Sequence, residues 1–498
     1  MTDTRTVDWF EADKAQENFA TDTAGEVLVQ REAIPIIFVP GIMGSRLRRA
    51  GTDGTGKGPD GLPNMRWDPD SSMFMLKHFS GEGPLQRKRM LIGDTFNPGF
   101  LEVHNSNPVG DGFQGIMSDY HVALRRLRSN NWGPLSKIFV FPVYAFGYNW
   151  TDSNKNSGAK LAARITEIIA QEKSVIGMCE KVILVSHSMG GLTSRAASEL
   201  NGAKSHILGI IHGVQPAMGA AAAYWRIKAG FEGFGMTSRV LGNSGPNVTV
   251  MLGNAPGGLQ LLPNADYRTN DGKVGWLQIT QKGQATRTLP KADPYKEIYR
   301  VKAVSRPPAG KGASNNTYWG LVDPDLLDPQ QVSAPASAPA KGKDALANKL
   351  KPSSGPWERY LALLAEAESF HKALGKSKHP NTFSFHGTGH DSADKITLAI
   401  ESNWIRSNPY EVRGFRGLFR DENGDSMQAV LQDPDGDGDG TVPVSSATSL
   451  NGPSNTPPGD QSFEVEHQPA YENRAVQDFT IRAVIALAKK RYQEKRGG

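Results

Sequence analysis

The sequence predicts an α/β fold with a mostly parallel central sheet flanked by helices, and three observations predict it. Short apolar runs rich in branched residues alternate with amphipathic segments between residues 34 and 211 and return near 382. One such run, 181–185, leads directly into Ser186-His187-Ser188-Met189-Gly190-Gly191, a strand that turns sharply into a helix. The alternation then lapses over 217–378, the pattern of a cap inserted between two core strands.

The elements follow in order. Residues 1–30 are polar, without a clear period, and form an N-terminal extension. Residues 34–39 read as a buried strand, ended by the turn Pro40-Gly41-Ile42-Met43-Gly44-Ser45. The stretch 51–64 is Gly- and Pro-rich loop; 65–110 carries few regular signals and reads as a flap. Residues 120–128 predict a helix, 137–143 a strand, 160–170 an amphipathic helix, 181–185 a strand, 192–200 a helix and 206–211 a strand. Within the cap, 333–343 is a low-complexity Ser/Ala/Pro tract with nothing to bury. A helix is expected over 357–374, a strand over 382–386 and a long basic helix over 471–494. The expected organisation is therefore a core of 31–216 and 379–498, with 217–378 as an inserted cap or lid.

Composition narrows the function classes. Apolar residues make up 38% and charged residues 21% of 498, an ordinary globular balance. A net charge of +5 is too small to mark a nucleic-acid binder, though it permits weak attraction to an anionic membrane surface. The single cysteine, Cys179, excludes an intramolecular disulfide. The N-terminus lacks the apolar run of a signal peptide, and no segment is apolar for long enough to span a bilayer. The expectation is a protein cytoplasmic when synthesised; export, if it occurs, uses a route that needs no signal peptide.

Ser188 is the candidate nucleophile. A sharp strand-to-helix turn pushes such a serine above the sheet, and small residues on both sides let strand and helix pass closely. Ser186 stands where the usual first glycine would be. His187 is expected to point away from the serine and to be structural. The order nucleophile, acid, base directs the search beyond the cap. There, Asp433-Pro434-Asp435-Gly436-Asp437-Gly438-Asp439-Gly440-Thr441-Val442-Pro443 supplies Asp439 as the acid, and Glu464-Val465-Glu466-His467-Gln468-Pro469 supplies His467 as the base. His386 and His390 precede the acid and break the order. The rival reading of the aspartate-rich turn is a calcium loop, but its twelfth position is Ser446, where a calcium-binding loop needs a bidentate glutamate. An oxyanion needs two N–H donors. Met189, after the nucleophile, and Ile42, in the early Pro-Gly turn, are the candidates. Trp150, His212, Tyr224 and Trp225 are candidate substrate or lid residues; the aromatics of 217–234 read equally as a lipid-contacting lid or as cap core. No metal ligand set and no cofactor motif is found.

Together, Pro40-Gly41-Ile42-Met43-Gly44-Ser45, the Ser188 turn and Asp437-Gly438-Asp439-Gly440-Thr441-Val442-Pro443 resemble the lecithin:cholesterol acyltransferase family of lipases and acyltransferases. Tyr148-Asn149-Trp150 resembles that family's Tyr-Asp-Trp-Arg segment, with Asn149 and Thr151 in place of its charged residues; Leu261-Leu262-Pro263 resembles a family segment in the cap. Bacterial toxin-like phospholipases exported by type VI systems are similar to the same family. The resemblance implies an α/β-hydrolase fold with a membrane-facing cap. It also implies a triad of Ser188, Asp439 and His467, oxyanion donors at Ile42 and Met189, and an acyl lipid as substrate. Transfer to an alcohol, hydrolysis of a non-lipid ester, and an inactive or calcium-dependent binding scaffold are the alternatives left open. No protein partner is identified; a cognate immunity protein is the extension of the toxin reading.

Overall fold

The computed structural model describes residues 3–9, 25–94, 96, 98–105, 112–232, 236–303, 317–329, 355–401, 418–420, 426–451 and 460–496. The low-complexity tract 333–343 lies outside them. Six strands form the central sheet: β1 Ile36–Val39, β2 Val143–Ala145, β3 Val182–His187, β4 Ile207–Gly213, β5 Thr382–Thr388 and β6 Asp460–Glu464. Their spatial order is β6-β5-β4-β3-β1-β2, and every neighbouring pair is parallel.

The pleat explains this sheet. On β1, Ile36 and Phe38 join one apolar cluster while Ile37 and Val39 join the other. On β3, Ile183 and Val185 divide from Val182 and Leu184 in the same way. A fully buried side chain of this size is worth roughly 1.5–3 kcal/mol. Strands β1 and β3 are buried at every position, so they are the anchored centre; β6 alternates half-buried and exposed residues at the edge.

The helices that position the site are α1 Ser72–Phe79, α2 His121–Arg128, α3 Asn154–Ile176, α4 Gly190–Glu199, α5 Ala221–Ala229, α6 Met236–Leu241, α7 Pro356–Leu374 and α8 Arg474–Arg496. Helices α3 and α4 cover one face through Leu161, Ile165, Leu192 and Ala196. Helices α2 and α8 cover the other through Leu124, Leu127, Phe479 and Leu487. Ser153 caps α3 by accepting the Asn156 N–H, and Gly177, at φ 92°, ends it. Gly158 lets α3 lie against α4: a Cβ there would come within 2.7 Å of the Ala196 Cβ.

Several expectations are corrected. The strand expected over 137–143 is broken into Phe139–Val140 and Val143–Ala145, because Pro142 between them has no N–H for the ladder. The C-terminal helix begins at Arg474, after a 3₁₀ turn over Gln468–Glu472. Within 1–30, Asp3–Asp8 and Gly25–Gln30 pair as parallel strands. Among its described residues, the supposed flap at 65–110 carries two strands, Met65–Trp67 and Leu101–Val103, and two helices, α1 and Pro84–Leu91. A second sheet runs in the order Arg287–Leu289, Leu277–Gln281, Ile396–Glu401, Ser426–Leu431, Leu418–Arg420. It crosses the boundary drawn at 378/379, since Ile396–Glu401 pairs in parallel with Leu277–Gln281. Alternation of buried Ile396, Leu398 and Ile400 with the smaller or polar Thr397, Ala399 and Glu401 specifies a half-buried strand; it carries no information on which sheet that strand joins.

Candidate active site

The turn after β3 holds Ser188 at φ 53°, a left-handed conformation that non-glycine residues adopt rarely. Two bonds pin it there. The Ser188 N–H donates to the Gly213 carbonyl at 2.9 Å, and the Gly191 N–H donates to the Ser188 carbonyl at 2.9 Å. Gly190 is required by close approach: a Cβ would lie 2.4 Å from the Val39 oxygen. Ser186, in the place of the usual glycine, is fully buried, with Oγ 2.9 Å from His212 Nδ1.

His467 is delivered by the loop after β6. Its N–H donates to the Asp439 carbonyl at 2.8 Å. Its Nδ1 lies 2.7 Å from Asp439 Oδ2, and its Nε2 lies 2.8 Å from Ser188 Oγ. Asp439 is buried, and its other oxygen accepts the Thr441 N–H at 3.0 Å and the Val442 N–H at 2.7 Å. Burial pushes this carboxyl up. The His467 imidazole and the two backbone donors outweigh burial and hold it below the usual carboxylate range. Gly387 on β5 makes room, since a Cβ there would stand 2.4 Å from the Asp439 Cβ. With Asp439 ionised, Nδ1 carries the imidazole proton and Nε2 is free to accept from the serine hydroxyl. Such an arrangement can activate a hydroxyl for attack on an acyl carbonyl.

The early turn faces the same point. Met43 sits at φ 63°, with its carbonyl accepting from Trp67 Nε1 at 2.8 Å. The Tyr148 hydroxyl donates to the Pro40 carbonyl at 3.0 Å, and its N–H donates to Ser45 Oγ at 3.1 Å. Trp150 packs edge-on against Trp67 at 5.3 Å. The Tyr148-Asn149-Trp150 segment therefore braces the turn from behind. Neither the Ile42 nor the Met189 N–H has an acceptor among the described residues; Met189 caps the N-terminus of α4.

Ser188, Asp439, His467 and Ile42 line one cavity of about 950 Å³. Its walls are mostly apolar: Met43, Trp67 and Met75 on one side, Ala223, Ile227 and Leu241 on the other. Arg226 stands on this lining, with Nε 3.0 Å from Glu232 Oε2 and Nη1 3.3 Å from Thr441 Oγ1. The four residues expected to contact substrate do not line the cavity. Trp150 is fully buried behind the turn, and His212 lies within β4 against Ser186. On α5 the helical repeat turns Ala223, Arg226 and Ile227 to the cavity, and Tyr224 and Trp225 away from it. Tyr224 packs on Trp276 at 5.3 Å, and its hydroxyl donates to the Trp319 carbonyl at 2.7 Å. The aromatic content of 217–232 drew attention to the wrong face; the lining face is the one that runs by three and four from Ala223 to Arg226 and Ile227.

Three of the four aspartates of the acid-rich turn have separate partners. Asp435 pairs with Lys395 at 3.6 Å, Asp437 accepts the Gly389 N–H at 2.6 Å, and Asp439 faces His467. Among the described residues, no group of three or more acidic, histidine or cysteine side chains is placed to hold a metal, and no helix is long and apolar enough to cross a membrane.

No known family profile matches the sequence, and no curated protein matches it. The lecithin:cholesterol acyltransferase resemblance therefore rests on its motifs. Among solved structures, one chain of the Tle4–Tli4 complex is similar over 92% of this chain and 99% of that one, with a TM-score of 0.67 at 22% identity. Phospholipase PlaB from Legionella pneumophila in complex with thio-NAD aligns over 85% of this chain and 82% of its own at 12% identity. Its TM-score of 0.19 is too low to carry an argument. The parallel sheet, its helical layers and the Tle4 likeness show an α/β-hydrolase fold.

Proposed function

We propose that this protein is a serine hydrolase that cleaves acyl esters of lipids, phospholipids among them. The observation that carries the reading is the Ser188–His467–Asp439 chain of contacts opening into an apolar cavity. In the proposed reaction, His467 Nε2 takes the Ser188 proton as Oγ attacks the acyl carbonyl carbon. The Ile42 and Met189 N–H groups receive the developing oxyanion. The same proton passes to the leaving alkoxide, and an acyl-enzyme forms. Water, deprotonated by His467, then attacks the acyl carbon; Ser188 leaves and recovers its proton. Asp439 holds the imidazole in the required tautomer and stabilises its charged form.

The apolar walls suit a hydrocarbon chain. Next to them, Met73 is 80% exposed on α1, and Leu76 on the same helix both lines the cavity and reaches solvent. We place peripheral contact with a lipid surface here. On the likeness to Tle4, crystallised with Tli4, the reading extends to a protein partner for this chain; inhibition of its esterase activity by a co-expressed partner candidate tests that extension.

The central experiment treats wild type and Ser188→Ala with a fluorophosphonate and reads the modified peptide by mass spectrometry. Labelling confined to Ser188 is expected. A folded wild type left unlabelled in detergent sinks the reading. Fatty-acid release from phosphatidylcholine vesicles, set against short soluble esters and added alcohols, then separates lipid hydrolysis from simple esterase or transferase activity.

A further inference from the structure

His187 is buried beneath the turn that carries Ser188 and does not line the cavity. Both of its ring nitrogens are engaged. Nε2 lies 2.8 Å from the His467 carbonyl oxygen, and Nδ1 lies 3.0 Å from the Tyr120 hydroxyl. A carbonyl only accepts, so Nε2 carries the proton. Nδ1 must then accept, and the Tyr120 O–H donates to it. The Tyr120 oxygen in turn accepts the Gly41 N–H at 3.3 Å. The bonds therefore run in one direction: Gly41 N–H to Tyr120, Tyr120 O–H to His187, His187 N–H to the His467 backbone. The Gln468 side chain reaches the same tyrosine hydroxyl.

The two ends of this chain matter. Gly41 immediately precedes Ile42, the proposed oxyanion donor, and His467 is the proposed base. We propose that His187 is a positioning residue that ties the oxyanion turn to the loop carrying the base, so that both stand in register above Ser188. This rests on the hydrolase reading above.

Three observations support it. The space is exact, since a Cβ on Gly41 would lie 2.8 Å from His187 Nδ1 and 3.0 Å from the Ser188 Cβ. The His187 and His467 rings are 5.2 Å apart, near enough for one to set the other's backbone, and no bond is formed between His187 and Ser188 Oγ. Burial, aided by the charge of the neighbouring His467, pushes the His187 imidazole down to about 3, so it stays neutral and keeps both bonds at working pH. The β-strand and the turn alone do not supply this link: the early turn, β3 and the 467 loop come from three distant parts of the chain.

The test compares wild type, His187→Phe, His187→Gln and Tyr120→Phe, all checked for folding by circular dichroism and thermal unfolding. Each is assayed for kcat and KM on a short soluble ester and for the rate of fluorophosphonate labelling at Ser188. His187→Phe keeps the ring and removes both bonds; kcat and labelling are expected to fall by about a hundredfold, with KM little changed, as for a misplacement of reacting groups. His187→Gln restores a donor toward the His467 carbonyl and should recover part of kcat. Tyr120→Phe removes the bonds of the hydroxyl to Gly41, His187 Nδ1 and Gln468 but keeps the bond from His187 to the His467 carbonyl, and should lose less than His187→Phe. A folded His187→Phe with wild-type kcat and labelling overturns the inference while leaving the hydrolase reading intact. If His187→Phe does not fold, the other two variants decide: wild-type kcat in both overturns it. A wild type that is not labelled at Ser188 overturns the hydrolase reading itself, and this inference with it.

Discussion

The floor of the cavity is made of backbone and the roof of side chains. Beneath Ser188, the Pro-Gly turn, the nucleophile turn and the Asp439 loop are short glycine-containing segments locked by main-chain bonds, with Met43 and Ser188 both at positive φ. Above it, α1, α5 and α6 contribute apolar side chains such as Met75, Ala223 and Leu241. The floor tolerates no added atom where backbone faces backbone; the roof is defined by size and polarity. On the proposed function, chemistry that needs placement to a fraction of an ångström would fall to the first, and accommodation of a substrate to the second.

This contrast can be broken or sharpened by substitution. On the floor, Ser188→Ala should lower kcat on a soluble ester by on the order of 10⁶-fold, and Asp439→Asn by about 10⁴-fold, with stability little changed. Activity in Ser188→Ala within tenfold of wild type would remove the floor's proposed role. Gly190→Ala forces a Cβ to within 2.4 Å of the Val39 oxygen and 2.5 Å of the Pro40 oxygen. Such overpacking against main chain should cost about 3 kcal/mol in denaturant unfolding; a neutral result would show that the floor can shift. On the roof, Ala223→Trp should narrow the cavity and shift preference toward short acyl chains by about tenfold in kcat/KM, leaving labelling by a small phosphonate unchanged. Equal losses on all chain lengths would mean that the roof serves placement as well.

The smallest expected effect concerns pH. Burial, aided by Arg195, pushes His212 down to about 3, below its ordinary value near 6.5. Between those values the unfolded chain takes up a proton that the native state refuses. Stability therefore falls as pH drops through about 6.5 and levels off below about 3. His212→Gln should remove that share of the slope, at most about 1.4 kcal/mol per pH unit, leaving a similar share from His187. Unfolding midpoints measured across pH 4 to 7 check this; an unchanged slope would mean that His212 is protonated in the native state.

Legibility followed the same division. The strand–turn–helix at Ser188 is written in contiguous residues, because the backbone geometry it needs demands small side chains at set spacings. Asp439 and His467 were found by chain order, which places residues without showing that they meet. His187 appeared only as a structural neighbour, since its partners Tyr120 and His467 are distant in the chain. Trp150, Tyr224 and Trp225 were misplaced because aromatic content is the same for a core and for a binding wall.

By itself, then, the sequence determined the parallel sheet and the local turns, through apolar periodicity and steric demands that act over a few residues. The tertiary structure decided which faces meet. It brought Ser188, Asp439 and His467 within hydrogen-bond distance, turned Ala223 and Ile227 toward them, and sent Ile396–Glu401 to the second sheet. Those choices depend on packing between remote segments, where burial of apolar surface is non-directional and leaves no local mark on the chain.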